Sequence, residues 1–327
     1  MRPPAFRDDG RREGASLLVL AAKIVSAMQP AARDSPIARI QSAVRRHILR
    51  AQRALRQRHL DDKAIHDARK DLKRARSGLR LLRPLDEGTY RRENTRLRNA
   101  ARQLSGVRDH KVLLARIGEL LAREKKPERR RLFLHLRKDL YNARRRDWRR
   151  LRSATELEHL ERLLANAAKS VQHWPAPAQV DADSAPAIAV RRLYRKGRKA
   201  LERSRADPSD ECLHEARKQA KHLAQALKIL GGEPDSKTAK KVLGRAADID
   251  DYLGDDHDLA VVESQVLRLP AVSDKPKQKL RSRLEAERAR LQKKALAAGR
   301  KLFRKKAWRA LRREAARATQ ADVSRPS

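Results

Sequence analysis

The chain has 327 residues, of which 81 are Lys or Arg and 41 are Asp or Glu, giving a formal net charge of +40. Hydrophobic residues make up 40%, enough for a sizeable core, which excludes a fully disordered polycation. The charge favours an anionic partner, such as nucleic acid, a polyphosphorylated compound or an anionic membrane. Aromatic residues reach only 3%, fewer than expected for a protein that stacks single-stranded bases.

Residues 1–36 are predicted to form a weakly ordered leader with one short apolar helix. Their Arg-rich start and apolar run loosely resemble a signal peptide, but Lys23 interrupts the run and no small-x-small cleavage site follows. The single Cys212 excludes an intramolecular disulfide and fits a reducing compartment. No stretch reaches transmembrane length, and we expect a cytoplasmic protein.

From Pro36 onward the hydrophobic periodicity is helical, and no segment shows the alternation of a strand. The first half predicts a helical bundle over residues 37–172, with helices at about 37–58, 62–83, 88–104, 109–124, 127–152 and 155–171. A Pro-rich linker follows at 173–186. The second half predicts a bundle over residues 187–317, with helices at about 187–206, 208–230, 234–253, 257–268, 274–299 and 300–317. Residues 318–327 are predicted to be a disordered tail.

The two halves repeat each other in sequence. The segment HDARKDLK at 66–73 returns as HEARKQAK at 214–221. Two further pairs keep the same order, AVRR at 43–46 with 189–192 and LSGVRD at 104–109 with LGDDHD at 253–258. A period this long indicates a duplicated half-domain rather than a solenoid, and it predicts two bundles related by a pseudo-two-fold axis.

The repeated helix carries an apolar stripe beside a cationic stripe when drawn at 100° per residue. The apolar stripes are Ile65, Ala68, Leu72, Ala75, Leu79 and Leu82 in the first copy, and Leu213, Ala216, Ala220, Leu223, Leu227 and Leu230 in the second. The cationic stripes are His66, Arg69, Lys70, Lys73, Arg76 and Arg80, and His214, Arg217, Lys218, Lys221 and Lys228. Arg45, Arg46, Arg191 and Arg192 are weaker candidates on the neighbouring helices.

The cationic stripes indicate a phosphate chain as ligand. Like charges three or four residues apart destabilise a helix, so a stripe of cations needs a compensating anion. Arg offers a planar fork for phosphate oxygens, Lys a point charge, and His a charge that changes near neutral pH. For any single Arg, an ordinary solvated helix face is the alternative. His66 and His214 border the core, and each could instead have a buried hydrogen-bonding role.

The segments around Gly106 and Gly254 are interpreted as turns, with a glycine ending one helix and Asp109 or Asp258 starting the next. Asp109 could also pair with Arg108 or another Arg. The run at 255–258 suggests a metal site, but adjacent side chains diverge and no second His completes a ligand set. We therefore expect no metal and no cofactor.

Catalytic motifs are absent from the sequence. It contains no Gly-rich phosphate-binding loop, no His-Glu-x-x-His and no serine nucleophile elbow. Phosphoryl-transfer enzymes generally also need carboxylates that hold Mg²⁺, and most acidic residues here stand singly among Arg and Lys. We expect a binding protein without enzymatic activity.

With these motifs, the chain resembles the CHAD family, the conserved-histidine α-helical domains. The resemblance rests on the His-x-x-Arg-Lys-x-x-Lys units at 66–73 and 214–221 and on the segments at 104–112 and 253–261, and it covers about residues 37–317. It implies an all-α fold of two bundles around a basic channel or concave surface. It also implies binding of inorganic polyphosphate and, as in many members, association with polyphosphate granules.

Some relatives carry a fused CYTH triphosphatase domain, whose Glu-x-Glu-x-Lys signature is absent here, so hydrolase activity is not carried over. The second copy departs from the first, because Ala224, His222 and His257 stand where Arg76, Arg74 and Arg108 stand in the first half. The second half is therefore expected to hold the ligand less tightly or with more pH dependence. A nonspecific nucleic-acid-binding protein is the main alternative, and membrane binding ranks last.

Overall fold

The computed structural model describes residues 36–175, 185–231, 237–268 and 274–304, and these form ten α-helices without a strand. The prediction of an all-α fold is confirmed. The helices are α1 (Pro36–Leu55), α2 (Asp62–Leu82), α3 (Glu87–Gln103), α4 (Ser105–Arg123), α5 (Pro127–Leu151), α6 (Ala154–Gln172), α7 (Ala185–Ala206), α8 (Asp210–Gly231), α9 (Lys237–Leu267) and α10 (Asp274–Leu302). The predicted leader before residue 36, most of the linker and the tail lie outside the described residues.

Side-chain caps define where several helices begin. Asp61 accepts a hydrogen bond from the Ala64 amide at 2.7 Å, and α2 starts at the next residue. Asp86 accepts from the Thr89 amide at 2.6 Å before α3, and Ser153 caps α6. Each cap satisfies an amide that would otherwise lack a partner and is worth about 1 kcal/mol.

The main core draws residues from both halves of the chain. The predicted apolar stripe of α2 is fully buried, and that of α8 is buried except at Leu230, which packs against the core from its edge. At Gly78 of α2 an added Cβ would lie 2.3 Å from Val44 Cγ2 and 3.3 Å from Ile229 Cδ1. Only a hydrogen fits there, so α2 crosses α1 and α8 at close range.

A second, smaller core forms at the far ends of four helices. Its buried residues are Ile117, Leu132, Phe133, Leu136 and Leu140 from α4 and α5, and Leu259, Val262, Val266, Leu280 and Leu284 from α9 and α10. The other ends of the same helices contribute Val107, Leu151, Leu253 and Leu302 to the main core. Each of these helices therefore runs from one core into the other.

Ion pairs between the halves reinforce the smaller core. Arg116 of α4 binds Asp255 of α9, and Arg283 of α10 donates to the buried Glu124 at 2.9 Å. A buried carboxylate is costly unless it is paired, and Glu124 also faces Arg129 at 3.3 Å. The first and second halves are thus joined at both cores.

The predicted helix break at Gly254 is wrong, because α9 continues through it from Lys237 to Leu267. A Cβ at Gly254 would lie 2.9 Å from Arg217 Nη2, so the small residue makes room for a side chain of α8. Gly106 also does not end a helix. It lies in the first turn of α4, where a Cβ would lie 2.0 Å from Asp147 Oδ2. Both glycines serve close packing rather than turns.

At the end of the described residues, α10 extends to Leu302, past the predicted boundary at 299, and the rest of the predicted helix at 300–317 lies beyond residue 304. Across the described ranges, no helix combines the length and the apolar character needed to cross a bilayer.

Candidate functional site: a basic crossing of α2 and α8

The predicted cationic stripes of α2 and α8 face each other across the packed helix pair. Desolvation is the main cause that lowers the pKa of Lys73 of α2, and Lys221 and Arg217 of α8 lie close enough to lower it further. The pKa of His222 of α8 is likewise lowered mainly by desolvation and further by Arg80 and Arg76 of α2. We call this cluster the basic crossing, formed by Arg69, Lys73, Arg76 and Arg80 of α2 with Arg217, Lys221 and His222 of α8.

Lys73 lies among other cations of the basic crossing. It is exposed to solvent and has no hydrogen bond or ion pair with any described residue. Its pKa is lowered to about 8, first by desolvation among surrounding protein atoms and then by Arg69, Lys221 and Arg217. The Lys73 ammonium group therefore lies beside other cations at a place that solvent can reach. An anion entering there would relieve the repulsion around the ammonium group.

Neutral groups hold the next two cations of α2. Arg76 Nε donates to Asn94 Oδ1 at 3.0 Å, and an Arg80 guanidinium nitrogen donates to the carbonyl of Arg76. Burial is the main cause that lowers the pKa of both, that of Arg80 to about 10. No carboxylate of the described helices forms an ion pair with either side chain. Both guanidinium groups therefore remain fixed in place without a counter-charge.

Arg69 is anchored at the junction of α3 and α4. Its Nη1 donates to the Ala101 carbonyl at 3.2 Å and to the Ser105 hydroxyl, and its Nη2 donates to Asp109 Oδ1 at 3.0 Å. The sequence left open which Arg pairs with Asp109, and the structure shows that it is Arg69. Arg69 thus holds α2 against the following helices and offers less free charge than Lys73.

A carboxylate of α9 neutralises part of the α8 stripe. Asp250 accepts from Arg217 Nε at 2.8 Å and from the Lys221 ammonium group. Burial opposes ionisation of Asp250, but its two cationic partners prevail and lower its pKa. Lys218 pairs with Glu215 on its own helix. The second stripe therefore faces the crossing with much of its charge already compensated.

The two histidines of the repeated motif lie on the surface. Both His66 and His214 are exposed, so the alternative of buried hydrogen-bonding roles is wrong. Desolvation is the first cause that lowers the pKa of each; Arg108 adds to it at His66, and His257 at His214. The His214 and His257 rings lie 5.8 Å apart between centroids. Both motif histidines are therefore mainly neutral at pH 7 in the free protein.

The other predicted site residues are less closely tied to the crossing. Lys70, Lys228, Arg45 and Arg46 are exposed and form no ion pair with a described residue. On α7, Arg191 is partly buried, and Arg192 lies 3.9 Å from Glu87 of α3. The structure brings α2 and α8 together but gives Arg45, Arg46 and Lys228 no interaction with the crossing.

Sequence reasoning missed two contributors. Lys196 of α7 has its pKa lowered by desolvation first and then by Arg192 and Arg83, with a further contribution from Arg80. Burial keeps the pKa of His222 well below its usual value, with Arg80 and Arg76 adding to the effect. The only signals in the sequence are that Lys196 follows Arg192 by one helical turn and that His222 replaces a cation of the first repeat. The basic surface thus extends from the crossing onto α7.

The acidic run of α9 is used for ion pairs. Asp255 binds Arg116, and the buried Asp256 accepts from Arg288 Nε at 3.1 Å and from Gln292 at 2.9 Å. Within the ranges that the structure describes, no group of three or more metal-ligating side chains occurs. These carboxylates stabilise the packing of α4, α9 and α10.

Comparison with known proteins assigns the family. The protein-family model of the CHAD domain matches residues 38–268, which is more than half of the sequence. The chain therefore belongs to the CHAD domain family. The fold is similar to the crystal structure of the CHAD domain from the plant Ricinus communis, with 22% identity, a TM-score of 0.56, and coverage of 84% of this chain and 94% of that one.

The fold is also similar to PptA from Streptomyces chartreusis, with 17% identity, a TM-score of 0.58, and coverage of 84% of this chain and 100% of that one. At these identities the likeness concerns the fold. No curated protein matches the sequence.

Proposed function

We propose that the protein binds inorganic polyphosphate at the basic crossing. The observation that carries the proposal is that Lys73, Arg76 and Arg80 have no carboxylate partner among the described residues, and that Arg217 and Lys221 of a second helix lie close to Lys73. A linear polyanion would neutralise both stripes at once, which a single phosphate would not. The polyphosphate ligand is also what the resemblance to CHAD proteins implies.

Binding would proceed by neutralisation of a preorganised cationic surface. Arg76 and Arg80, already oriented by neutral acceptors, would place their forks on phosphate oxygens, and Lys73 would supply a point charge. The polymer would have to compete with Asp250 for Arg217 and Lys221. Counterions would be released from polymer and protein, so affinity should fall steeply with added salt.

We propose that the protein binds polyphosphate without hydrolysing it. Asp109 and Asp250, the carboxylates that form ion pairs with the crossing, are held by Arg69, Arg217 and Lys221 and are poorly placed to hold Mg²⁺. We expect no release of phosphate from polyphosphate during incubation with Mg²⁺. Release that depends on both the protein and Mg²⁺ would contradict a purely binding role.

The decisive experiment reverses two charges at the crossing. Lys73→Glu combined with Lys221→Glu should abolish polyphosphate binding in titration calorimetry while leaving helicity by circular dichroism unchanged. Lys169→Glu combined with Lys293→Glu is the matched control, because both residues are exposed and lie on α6 and α10. The control has the same net charge and should bind almost as tightly as the parent. Equal losses in both variants would remove the crossing from the site.

A nonspecific nucleic-acid-binding protein is the second candidate, and the formal net charge of +40 favours it. Competition separates the two. Under the proposal, polyphosphate displaces labelled duplex DNA at far lower phosphate equivalents than DNA needs to displace polyphosphate. The reverse order would favour nucleic acid.

Association with polyphosphate granules is the cellular expectation. A fluorescent fusion should concentrate on granules in cells that accumulate them, and the Lys73→Glu, Lys221→Glu variant should be diffuse. Retention of that variant on granules would point to a different attachment surface.

A further inference from the structure

A second basic surface lies on α5, on side chains that do not belong to the basic crossing. A groove of about 370 Å³ is lined by Tyr141, Arg144, Arg145, Trp148, Arg149 and Arg152. Their spacing of three or four residues places them along one side of the helix. Tyr141 is 55% exposed, which is unusual for a large aromatic side chain without a partner.

The walls of this groove are held in place by contacts with the start of α2. Arg144 donates to both carboxylate oxygens of Asp62 at 2.6 Å, and Arg152 donates to the Leu60 carbonyl at 3.0 Å. The Arg152 guanidinium carbon also lies 4.5 Å from the centre of the Trp148 ring. The Arg152 guanidinium group therefore lies over the Trp148 ring and is held there by the Leu60 carbonyl.

Two unpaired cations lie beside the aromatic positions. Arg145 and Arg149 are exposed, and neither forms an ion pair or hydrogen bond with a described residue. Each follows an aromatic position closely on the same side of α5, Arg145 one turn after Tyr141 and Arg149 next to Trp148. The surface thus combines the exposed Tyr141 ring and the Arg152–Trp148 pair with two unpaired cations.

We propose that this groove binds single-stranded nucleic acid. Unpaired bases would stack on Tyr141 and on the Arg152–Trp148 pair, and the backbone phosphates would contact Arg145 and Arg149. Polyphosphate has no ring that would make use of an exposed aromatic face, and the bases of a duplex are already stacked. The sparse aromatic content of the whole chain conceals this local concentration of two aromatic residues.

Matched oligonucleotides test the stacking directly. We would measure fluorescence anisotropy of a labelled short oligothymidylate and of an abasic oligonucleotide of the same length and charge, using the full chain. The parent protein should bind the oligothymidylate at least about fivefold more tightly, because base stacking adds to phosphate attraction. Equal affinities for the two probes would overturn the proposal and leave a plain polyanion surface.

Three variants assign the effect to the groove. Tyr141→Ala should lose about fivefold or more on oligothymidylate and almost nothing on the abasic probe, whereas Tyr141→Phe should keep the preference because its ring still stacks. Arg145→Glu with Arg149→Glu should weaken both probes. An unchanged preference in Tyr141→Ala would exclude this groove.

The proposals for the crossing and for the groove can be tested separately. The Lys73→Glu, Lys221→Glu variant should lose polyphosphate but keep its preference for oligothymidylate over the abasic probe. Loss of that preference in this variant would place the bases at the crossing and contradict a separate site. Polyphosphate affinity should in turn be unaffected by Tyr141→Ala.

Discussion

The cationic stripes of α2 and α8 are similar in sequence but differ in how their charge is compensated. In α2, Lys73, Arg76 and Arg80 have no ion-pair partner among the described residues. In α8, Arg217 and Lys221 share Asp250. The first stripe is therefore open to an external anion, whereas the second already holds an internal one.

This difference shows that two similar sequence motifs can differ in how much of their charge is neutralised within the fold. Opposite charges in a partly buried pair interact strongly, so an incoming phosphate must compete with the carboxylate for its cations. We therefore expect Asp250 to stabilise the free protein and to lower its affinity for an anionic ligand.

The largest expected effect separates the two lysines. Lys73→Ala should weaken polyphosphate binding about tenfold or more, since it removes an uncompensated cation. Lys221→Ala should weaken it about threefold, because Asp250 offsets much of the charge removed. Titration calorimetry at fixed salt measures both. Equal losses would show that Asp250 does not set the stripes apart.

Removing the negative charge of Asp250 from the cations of α8 should give the next largest effect. Asp250→Asn should tighten polyphosphate binding several-fold at low salt and destabilise the free protein by about 1–3 kcal/mol, since Arg217 and Lys221 lose their counter-charge. Thermal unfolding with and without polyphosphate reads both changes, and the ligand should restore much of the lost stability. Weaker binding instead would mean that Asp250 orients its two cations for the ligand.

The pH dependence should differ between the lysine and the histidines. An anion binds the protonated form more tightly, so affinity should rise a few-fold as pH falls from 9 to 7 through the Lys73 pKa of about 8. Lys73→Arg should flatten this range, because its guanidinium stays charged. Further tightening should begin only below about pH 6.5, since the pKa values of His66 and His214 are lowered. A profile that is flat in the parent from pH 9 to 7 would show that Lys73 does not meet the phosphate.

The smallest effect tests the packing of the second stripe. Gly254→Ala would bring a methyl group to 2.9 Å from the Arg217 guanidinium, whose flexible end would have to move. We expect a loss of polyphosphate affinity of about twofold or less, with helicity unchanged. Gly244→Ala is the control. Gly244 lies on the same helix, and a Cβ there would have no neighbouring atom within 4 Å. A large loss would give Arg217 a greater share of binding than its pairing with Asp250 suggests.

Hydrophobic periodicity was sufficient to predict which faces of the helices are buried and which are cationic. The apolar stripes of α2 and α8 and the cationic stripes beside them follow from 3.6 residues per turn, and the buried residues agree with them. The convergence of the stripes was suggested by the repeat but depended on how α2 crosses α8. That crossing requires the close contact of Gly78 with Val44 and Ile229, which no local pattern reveals.

Long-range pairing explains what the sequence could not show. Asp250 lies 33 residues from Arg217, and Asp109 lies 40 residues from Arg69, so neither pair has a signature in spacing. Gly254 was misread because glycine is favoured at helix ends, whereas here it accommodates a neighbouring side chain. Exposure of Tyr141 likewise follows from where α5 lies on the surface rather than from its own residues.

The four helices that pass from one core to the other have a thermodynamic consequence. With 29 residues, α10 alone is roughly 44 Å long, and it contributes Leu284 to the smaller core and Leu302 to the main one. Melting either core would strip apolar support from helices that the other core also needs. Heat should therefore disrupt the two together, and calorimetry should record a single cooperative endotherm rather than two.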